Sequence, residues 1–203
     1  MKRIFAFIVC SFLFLTVSGQ DSKLLLGADV AATRSNLWGI DHDFDPVYGF
    51  SAGINLEYIL SPALSLKTGL CYERKGYGTD LIGGNLKYLT FKNDYLLTPV
   101  LVSLSTKGTA KFYVSGGVFF GLLLKSTYEI EFYVDPDEGI NDIRGNERRY
   151  DLGLSFGCGV MLPVGSRILL DLGLRDNLGF DPEHEWQSGY NTSGLVVSLK
   201  YRL

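Results

Sequence analysis

At 203 residues the chain is long enough for one domain and too short for two of full size. Its 19 basic and 22 acidic side chains give a formal net charge of −3, which speaks against a nucleic-acid partner. Beyond the N-terminal region no stretch approaches the roughly 20 consecutive apolar residues of a membrane helix, yet 46% of the residues are hydrophobic. Apolar residues dispersed by alternation reconcile the two observations.

The N-terminus reads Met1-Lys2-Arg3, then an apolar run over 4–17, then Val17-Ser18-Gly19 before Gln20. A basic start, a short apolar run and small residues ahead of a cut predict a secretory signal over 1–19, cleaved after Gly19. The run is too short to anchor the chain as a spanning helix. Losing Lys2 and Arg3 leaves 17 basic against 22 acidic residues, a formal net charge of −5 for the segment 20–203.

From residue 24 onward the sequence alternates with strand period. The first predicted strand, 24–34, places Leu24, Leu26, Ala28, Val30 and Ala32 on one face and Gly27, Asp29, Ala31 and Thr33 on the other. After a polar connector, Phe50, Ala52, Ile54, Leu56, Tyr58 and Leu60 alternate with Ser51, Gly53, Asn55 and Glu57. Ser61-Pro62-Ala63 makes a tight turn. The third strand returns with Leu64, Leu66, Thr68, Leu70 and Tyr72 outward against Ser65, Lys67, Gly69, Cys71, Glu73 and Lys75.

A long connector, 76–93, contains Gly83-Gly84-Asn85 between partly alternating stretches, the pattern of a hairpin standing above a membrane. The fourth strand, 94–104, is nearly all apolar. It holds Pro99, which cannot donate to a ladder, so a bulge or local irregularity is expected there. A second tight turn spans 105–109. In the fifth strand Phe112, Val114, Gly116, Val118, Phe120, Leu122 and Leu124 face out, and Lys111, Tyr113, Ser115, Gly117, Phe119 and Gly121 face in.

The longest connector, 125–149, has the composition of a mobile loop. Leu152, Leu154, Phe156, Cys158, Val160 and Leu162 then alternate with Asp151, Gly153, Ser155, Gly157 and Gly159, and 163–166 turns tightly. Ile168, Leu170, Leu172 and Leu174 alternate with Asp171, Gly173 and Arg175. After a last loop, 176–189, Leu195, Val197, Leu199, Tyr201 and Leu203 alternate with Ser198, Lys200 and Arg202.

Connectors that run long, short, long, short, long, short, long between eight such segments predict an all-β fold, an eight-stranded antiparallel up-and-down transmembrane β-barrel. Aromatic residues support it. Tyr48, Phe50, Tyr72, Tyr150 and Tyr190 fall near the loop ends of strands, and Tyr58, Phe112 and Tyr201 near the turn ends, as two interfacial belts require. The inward charges balance, with Asp29, Glu57, Glu73, Asp151 and Asp171 against Lys67, Lys75, Lys111, Lys200, Arg175 and Arg202. In a lumen this narrow that balance predicts a salt-bridged plug instead of an open pore. Many of the 24 glycines sit at inward positions, making room for large neighbours. Cys10 leaves with the signal, and Cys71 and Cys158 fall on opposite faces, so no disulfide is expected.

The segments 69–76 (Gly-Leu-Cys-Tyr-Glu-Arg-Lys-Gly), 94–102 (Asp-Tyr-Leu-Leu-Thr-Pro-Val-Leu-Val), 112–124 and 151–154 resemble the PorT-like outer-membrane β-barrel family of Bacteroidetes, over almost all of the segment 20–203. The resemblance implies the same barrel and a link to type IX secretion. The last strand is similar to the signal read by the barrel-assembly machinery, with Leu203 in place of the usual terminal aromatic.

Asp41, Asp43 and Asp45 copy the opening spacing of a calcium loop, but Pro46 stands where glycine is needed and Ala52 where glutamate is needed, which excludes an EF-hand. A solvated acidic loop is the favoured reading over a weak cation site. His42 and His184 fall in predicted loops without an evident nucleophile beside them. Trp38 and Trp186 are expected at lipid headgroups or loop partners. The sequence therefore predicts no catalytic, cofactor-binding or metal-ligating residue and no cofactor.

The partners expected are outer-membrane lipid, the barrel-assembly machinery during biogenesis, and a protein met at the long loops, extracellular or, as the resemblance implies, part of a secretion complex. Both termini are expected in the periplasm. The alternatives are a small barrel enzyme of lipid deacylase or protease type, using His184 or His42, and a narrow channel.

Overall fold

Alternation of branched or aromatic residues with small polar ones favours extended chain over nearly the whole length, and extended chain is what forms. The computed structural model describes residues 23–39, 44–80, 86–132, 139–142, 149–180 and 189–203. The expected signal segment 1–19 lies outside these residues. The strands are β1 (Leu24–Trp38), β2 (Asp45–Ser61), β3 (Leu64–Asp80), β4 (Leu86–Ser105), β5 (Lys111–Phe132), β6 (Gly139–Asp142), β7 (Tyr150–Pro163), β8 (Ile168–Phe180) and β9 (Gly189–Arg202). Eight of them close a barrel in the order β4-β3-β2-β1-β9-β8-β7-β5, with β4 also paired to β5; β6 adds only to the upper end of β5. Every pairing is antiparallel.

The predicted short turns hold the strands at one end. Ser61 Oγ accepts a hydrogen bond from Ala63 N at 3.4 Å. In the second turn Gly108 takes φ 130°, a conformation open to glycine and rarely to other residues. Thr106 closes that turn by donating its N–H to the Phe112 carbonyl at 2.8 Å and accepting from Phe112 N through Oγ1 at 3.0 Å. Val164 N donates to the Ile168 carbonyl across the third turn.

The register fixes which side chains face lipid. Val30 pairs with Ala52 and with Val197, while Asp29 pairs with Gly53 and with Ser198. A slip of one residue would turn every inward charge to the outside. Val118 is 55% exposed on the outer wall, whereas Glu73, Lys75 and Tyr95 inside are 0% exposed. Tyr48, Phe50 and Tyr150 stand outward near the loop end, and Tyr58, Phe112 and Tyr201 outward near the turn end. Tyr190 corrects the expected belt: it is buried in the interior. It shares the parity of the inward residues Thr192 and Ser198, and a period of two leaves it no other side.

The bulge expected at Pro99 takes another form. On the β3 side the pairing passes from Thr68↔Val100 to Cys71↔Leu97 in unchanged register, with the ladder interrupted between them, and on the β5 side Pro99 pairs with Phe119. A missing N–H removes one ladder bond but inserts no residue. The register shift lies instead where Asp94 pairs with Lys125 and Tyr95 with Leu123, leaving Leu124 as the extra residue.

The connectors are shorter than expected because three strands continue beyond the barrel rim. The β3–β4 ladder runs on from Lys75↔Asn93 to Asp80↔Tyr88, the hairpin anticipated over 76–93. β4 and β5 pair up to Leu86↔Phe132, and β6 pairs with residues 127–130. The segment 125–132, expected to open a mobile loop, is therefore strand, as is 176–180. One side of the loop end rises as a sheet while the opposite side stops near the rim.

Candidate functional site

The interior is the part of the molecule with the most chemistry, and it divides into two ionic clusters under an aromatic cap. Near the turn end Lys200 Nζ lies 2.8 Å from Glu57 Oε2 and 2.7 Å from Asp171 Oδ2. Glu57 also accepts from Ser65 Oγ at 2.6 Å and sees Lys67 Nζ at 4.0 Å. Tyr113 donates its hydroxyl to Asp171 Oδ1 at 2.9 Å, and the Lys67 ammonium sits 3.7 Å above its ring. Glycine makes the room, since a Cβ on Gly173 would come within 2.6 Å of the Tyr113 hydroxyl.

The second cluster lies further toward the loop end and is organised around Glu73. Its carboxylate accepts from Arg175 Nη2 at 3.0 Å and from Asn177 Nδ2 at 3.0 and 3.1 Å, and it sees Lys75 Nζ at 3.5 Å. Lys75 Nζ donates to Asp151 Oδ2 at 2.8 Å, and Ser155 donates to Asn177 Oδ1 at 2.7 Å. Arg175 also donates to Ser51 Oγ at 2.7 Å and faces Asp29 at 3.8 Å. Asn55 bridges the two clusters by donating to Asp29 Oδ1 and to Ser198 Oγ. Opposite charges held this close and dry satisfy one another, and each is stranded if its partner goes.

Against the second cluster Tyr95, Leu97, Phe119, Tyr190 and Cys71 pack as an apolar layer, Tyr95 level with Glu73 in the β3–β4 register, with Leu37, Tyr77 and Leu123 against it. Asn93 Nδ2 donates to the Tyr190 hydroxyl at 2.6 Å, and Tyr77 stacks on Phe91 at 4.9 Å between ring centroids. Polar and aromatic groups thus occupy most of the eight-stranded lumen from mid-height to the loop end, around a cavity of about 100 Å³ between the clusters, as expected for a barrel of this strand number.

Nine of the eleven charges expected inward join this network. Lys111 and Arg202 do not; they line a cavity at the turn end. Cys71 points inward and Cys158 outward, so the wall separates them and both are free. Asp45 accepts a hydrogen bond from the Tyr88 hydroxyl at 2.9 Å. Burial and then this carboxylate push the Tyr88 phenol up to about 12. Trp38 Nε1 donates to the Gly179 carbonyl at 2.9 Å and its ring meets Phe180 edge-on, a contact within the protein instead of one with lipid.

Asp41, His42, Asp43, His184 and Trp186 lie outside the described residues. Among the described residues no group of three His, Cys, Asp or Glu side chains is placed to hold a metal. Sequence reasoning misses Asn177, Asn93, Tyr95 and Tyr190 as interior residues, because the first two fall in expected connectors, Tyr95 in a nearly all-apolar strand without clear alternation, and Tyr190 in the expected belt. Simple parity would have found them: Asn177 follows Gly173 and Arg175, and Asn93 and Tyr95 precede Leu97 and Leu101.

A closed antiparallel wall, apolar outside and ionic inside, with aromatic residues at both rims, defines a transmembrane β-barrel of the bacterial outer membrane. Residues 22–185 match the model of the family described as outer membrane protein beta-barrel domain, and the chain belongs to that family. The solved structure of the outer membrane protein OprG from Pseudomonas aeruginosa aligns with a TM-score of 0.56 at 11% identity, over 93% of this chain and 100% of that one. Neisserial surface protein A aligns with a TM-score of 0.52 at 16% identity, over 90% of this chain and 98% of that one. Both likenesses carry the fold alone. No curated protein sequence matches the chain.

Proposed function

We propose that the protein is a non-enzymatic membrane anchor whose plugged barrel holds its loop end for a protein partner. One observation carries this reading: the lumen cross-section is occupied by Glu73, Lys75, Asp151, Arg175 and Asn177, each bound to its neighbours. A wet path for ions needs charges with free valence and space, and a filled ionic layer capped by Tyr95 and Phe119 supplies neither. The continuation of β3, β4 and β5 above the rim, joined by β6, gives a partner a rigid platform.

In this reading residues 1–19 are a signal peptide, the termini and short turns face the periplasm, and the tall wall faces outside. The PorT-like resemblance makes a secretion complex the partner to look for first. The test has three parts. In planar bilayers the purified barrel should give negligible single-channel conductance; steady ion flux would overturn the plug. Co-purification from native outer membranes should retain a protein partner, and isolation as a lone barrel would overturn the anchoring role. Replacing His42 and His184 should leave lipid and peptide turnover unchanged, since loss of a measurable turnover would restore the enzyme reading.

A further inference from the structure

Two cavities interrupt the interior, one of about 100 Å³ among Asp29, Lys67, Cys71, Tyr113 and Arg175 and another at the turn end. Below the Glu57–Lys200 pair the barrel is not filled but opens into a cavity of about 210 Å³. At roughly 30 Å³ per water, that is space for about seven waters, or a small organic molecule of similar bulk. Its inner wall is apolar, with Leu25, Ile59, Met161 and Leu169, and hydroxyls of Ser61, Ser105 and Thr109 stand around it. Lys111 and Arg202, half-buried on its lining, make no ion pair among the described residues. At the cavity's floor the Glu57 carboxylate is already neutralised by Lys200 at 2.8 Å and bound by Ser65.

The electrostatics of the whole molecule act in the same direction. Residues 23–25, 59–65, 104–113, 162–169 and 201–203, which form the turn end, contain Lys23, Lys107, Lys111, Arg167 and Arg202 and no acidic side chain. Two of the loop-end connectors, 36–47 and 176–189, carry seven acidic residues and no Lys or Arg. A chain of net charge −3 therefore presents a basic mouth at one end, and low-dielectric walls focus that field into the cavity.

We propose that this cavity is a binding site for a small organic carboxylate with a short apolar body, its carboxylate held by Lys111 and Arg202 and its hydrocarbon against Leu25, Met161 and Leu169. Two cations with no ion pair among the described residues, hydroxyls and an apolar wall match such an amphiphile, and Arg202 can grip a carboxylate in the paired geometry that guanidinium allows. The same chemistry is offered by a free short-chain acid and by the C-terminal carboxylate of a peptide ending in an apolar residue.

The experiment uses the full-length barrel in nanodiscs of zwitterionic lipid and ¹⁹F NMR of 6,6,6-trifluorohexanoate. A saturable one-site component is expected above lipid partitioning. It should weaken at least about tenfold in Lys111→Gln and in Arg202→Gln, disappear in the double variant, and fall with added salt. Leu169→Trp, which fills the cavity while keeping both charges, should abolish it as well. Heat-modifiable gel migration confirms that each variant is folded. Uptake that is only non-saturable, survives the double variant, or is matched by the methyl ester would overturn the site. Displacement by inorganic phosphate as strong as by hexanoate would overturn the role of the apolar body. Competition by a peptide ending in leucine carboxylate, but not by its amide, assigns the ligand to a peptide terminus; competition by hexanoate alone assigns it to a free acid.

Discussion

The wall and the lumen of this barrel invert each other. The outer wall exposes Val, Leu and Phe, while several of the most deeply buried side chains are Glu73, Lys75, Asn93 and Thr192. In a water-soluble domain that arrangement would be unstable on both sides. Here the solvent of the wall is hydrocarbon, and the interior is held by ion pairs and hydrogen bonds together with one apolar layer around Tyr95 and Phe119. The two regions therefore fail in opposite ways: the lumen when a charge loses its partner, the wall when a charge is added.

The largest expected effect is at the hub of the lumen. Glu73→Ala removes the carboxylate shared by Lys75, Arg175 and Asn177, leaving two buried cations to Asp151 and Asp29 alone, and should cost about 3–5 kcal/mol in urea unfolding from lipid vesicles, followed by tryptophan fluorescence. A cost below about 1 kcal/mol would mean that the clusters do not hold the barrel. On the wall, Val118→Arg places a cation midway along β5 facing lipid and should cost about 2–4 kcal/mol in the same assay. An equal cost for Val118→Leu would show that packing, not lipid contact, sets the effect.

Gly173→Ala tests space inside the lumen. Its Cβ would crowd the Tyr113 hydroxyl and the Cys158 carbonyl, at 2.6 and 2.9 Å, for an expected loss of about 1–3 kcal/mol. Tyr113→Phe removes one hydrogen bond to Asp171 while leaving its Lys200 contact, and about 1 kcal/mol should follow. If the Tyr113→Phe change rescues Gly173→Ala, the hydroxyl is the obstructing group.

The smallest effect lies beyond the rim. Tyr88→Phe breaks one contact to Asp45 at the top of the tall wall and should cost about 0.5 kcal/mol. Because the folded phenol is pushed from 10 up to about 12, its contribution is complete below pH 10 and is lost as pH rises from 10 to 12. The wild-type and Tyr88→Phe stabilities should converge over that window; a constant difference across it would refute the contact.

Much of this was legible along the chain. Inward and outward faces of the barrel strands follow from a period of two in all but the nearly all-apolar fourth strand, and parity alone puts Asp29, Glu57, Glu73, Asp151 and Asp171 inside. The height of the wall was not. Residues 76–80, 86–93 and 125–132 lack the continuous apolar face of the wall, with Thr90, Lys92, Lys125, Thr127, Glu129 and Glu131 sharing one side, and in sequence that looks like loop. The cap was missed for a related reason: Tyr190 near a strand end reads as a belt residue until its neighbours' parity is followed through.

By itself the sequence determined the eight barrel strands, their antiparallel path and the faces of seven of them, because each depends on local alternation and connector length. The tertiary structure alone decided which inward charges meet. Glu73 reaches Arg175 and Asn177 across the lumen from about a hundred residues away, and Lys111 and Arg202 stand beside an open cavity with no ion pair among the described residues. Parity assigns a side, but the stagger of strands around a closed barrel sets the heights at which side chains face each other, and that stagger is fixed only when the last strand pairs with the first.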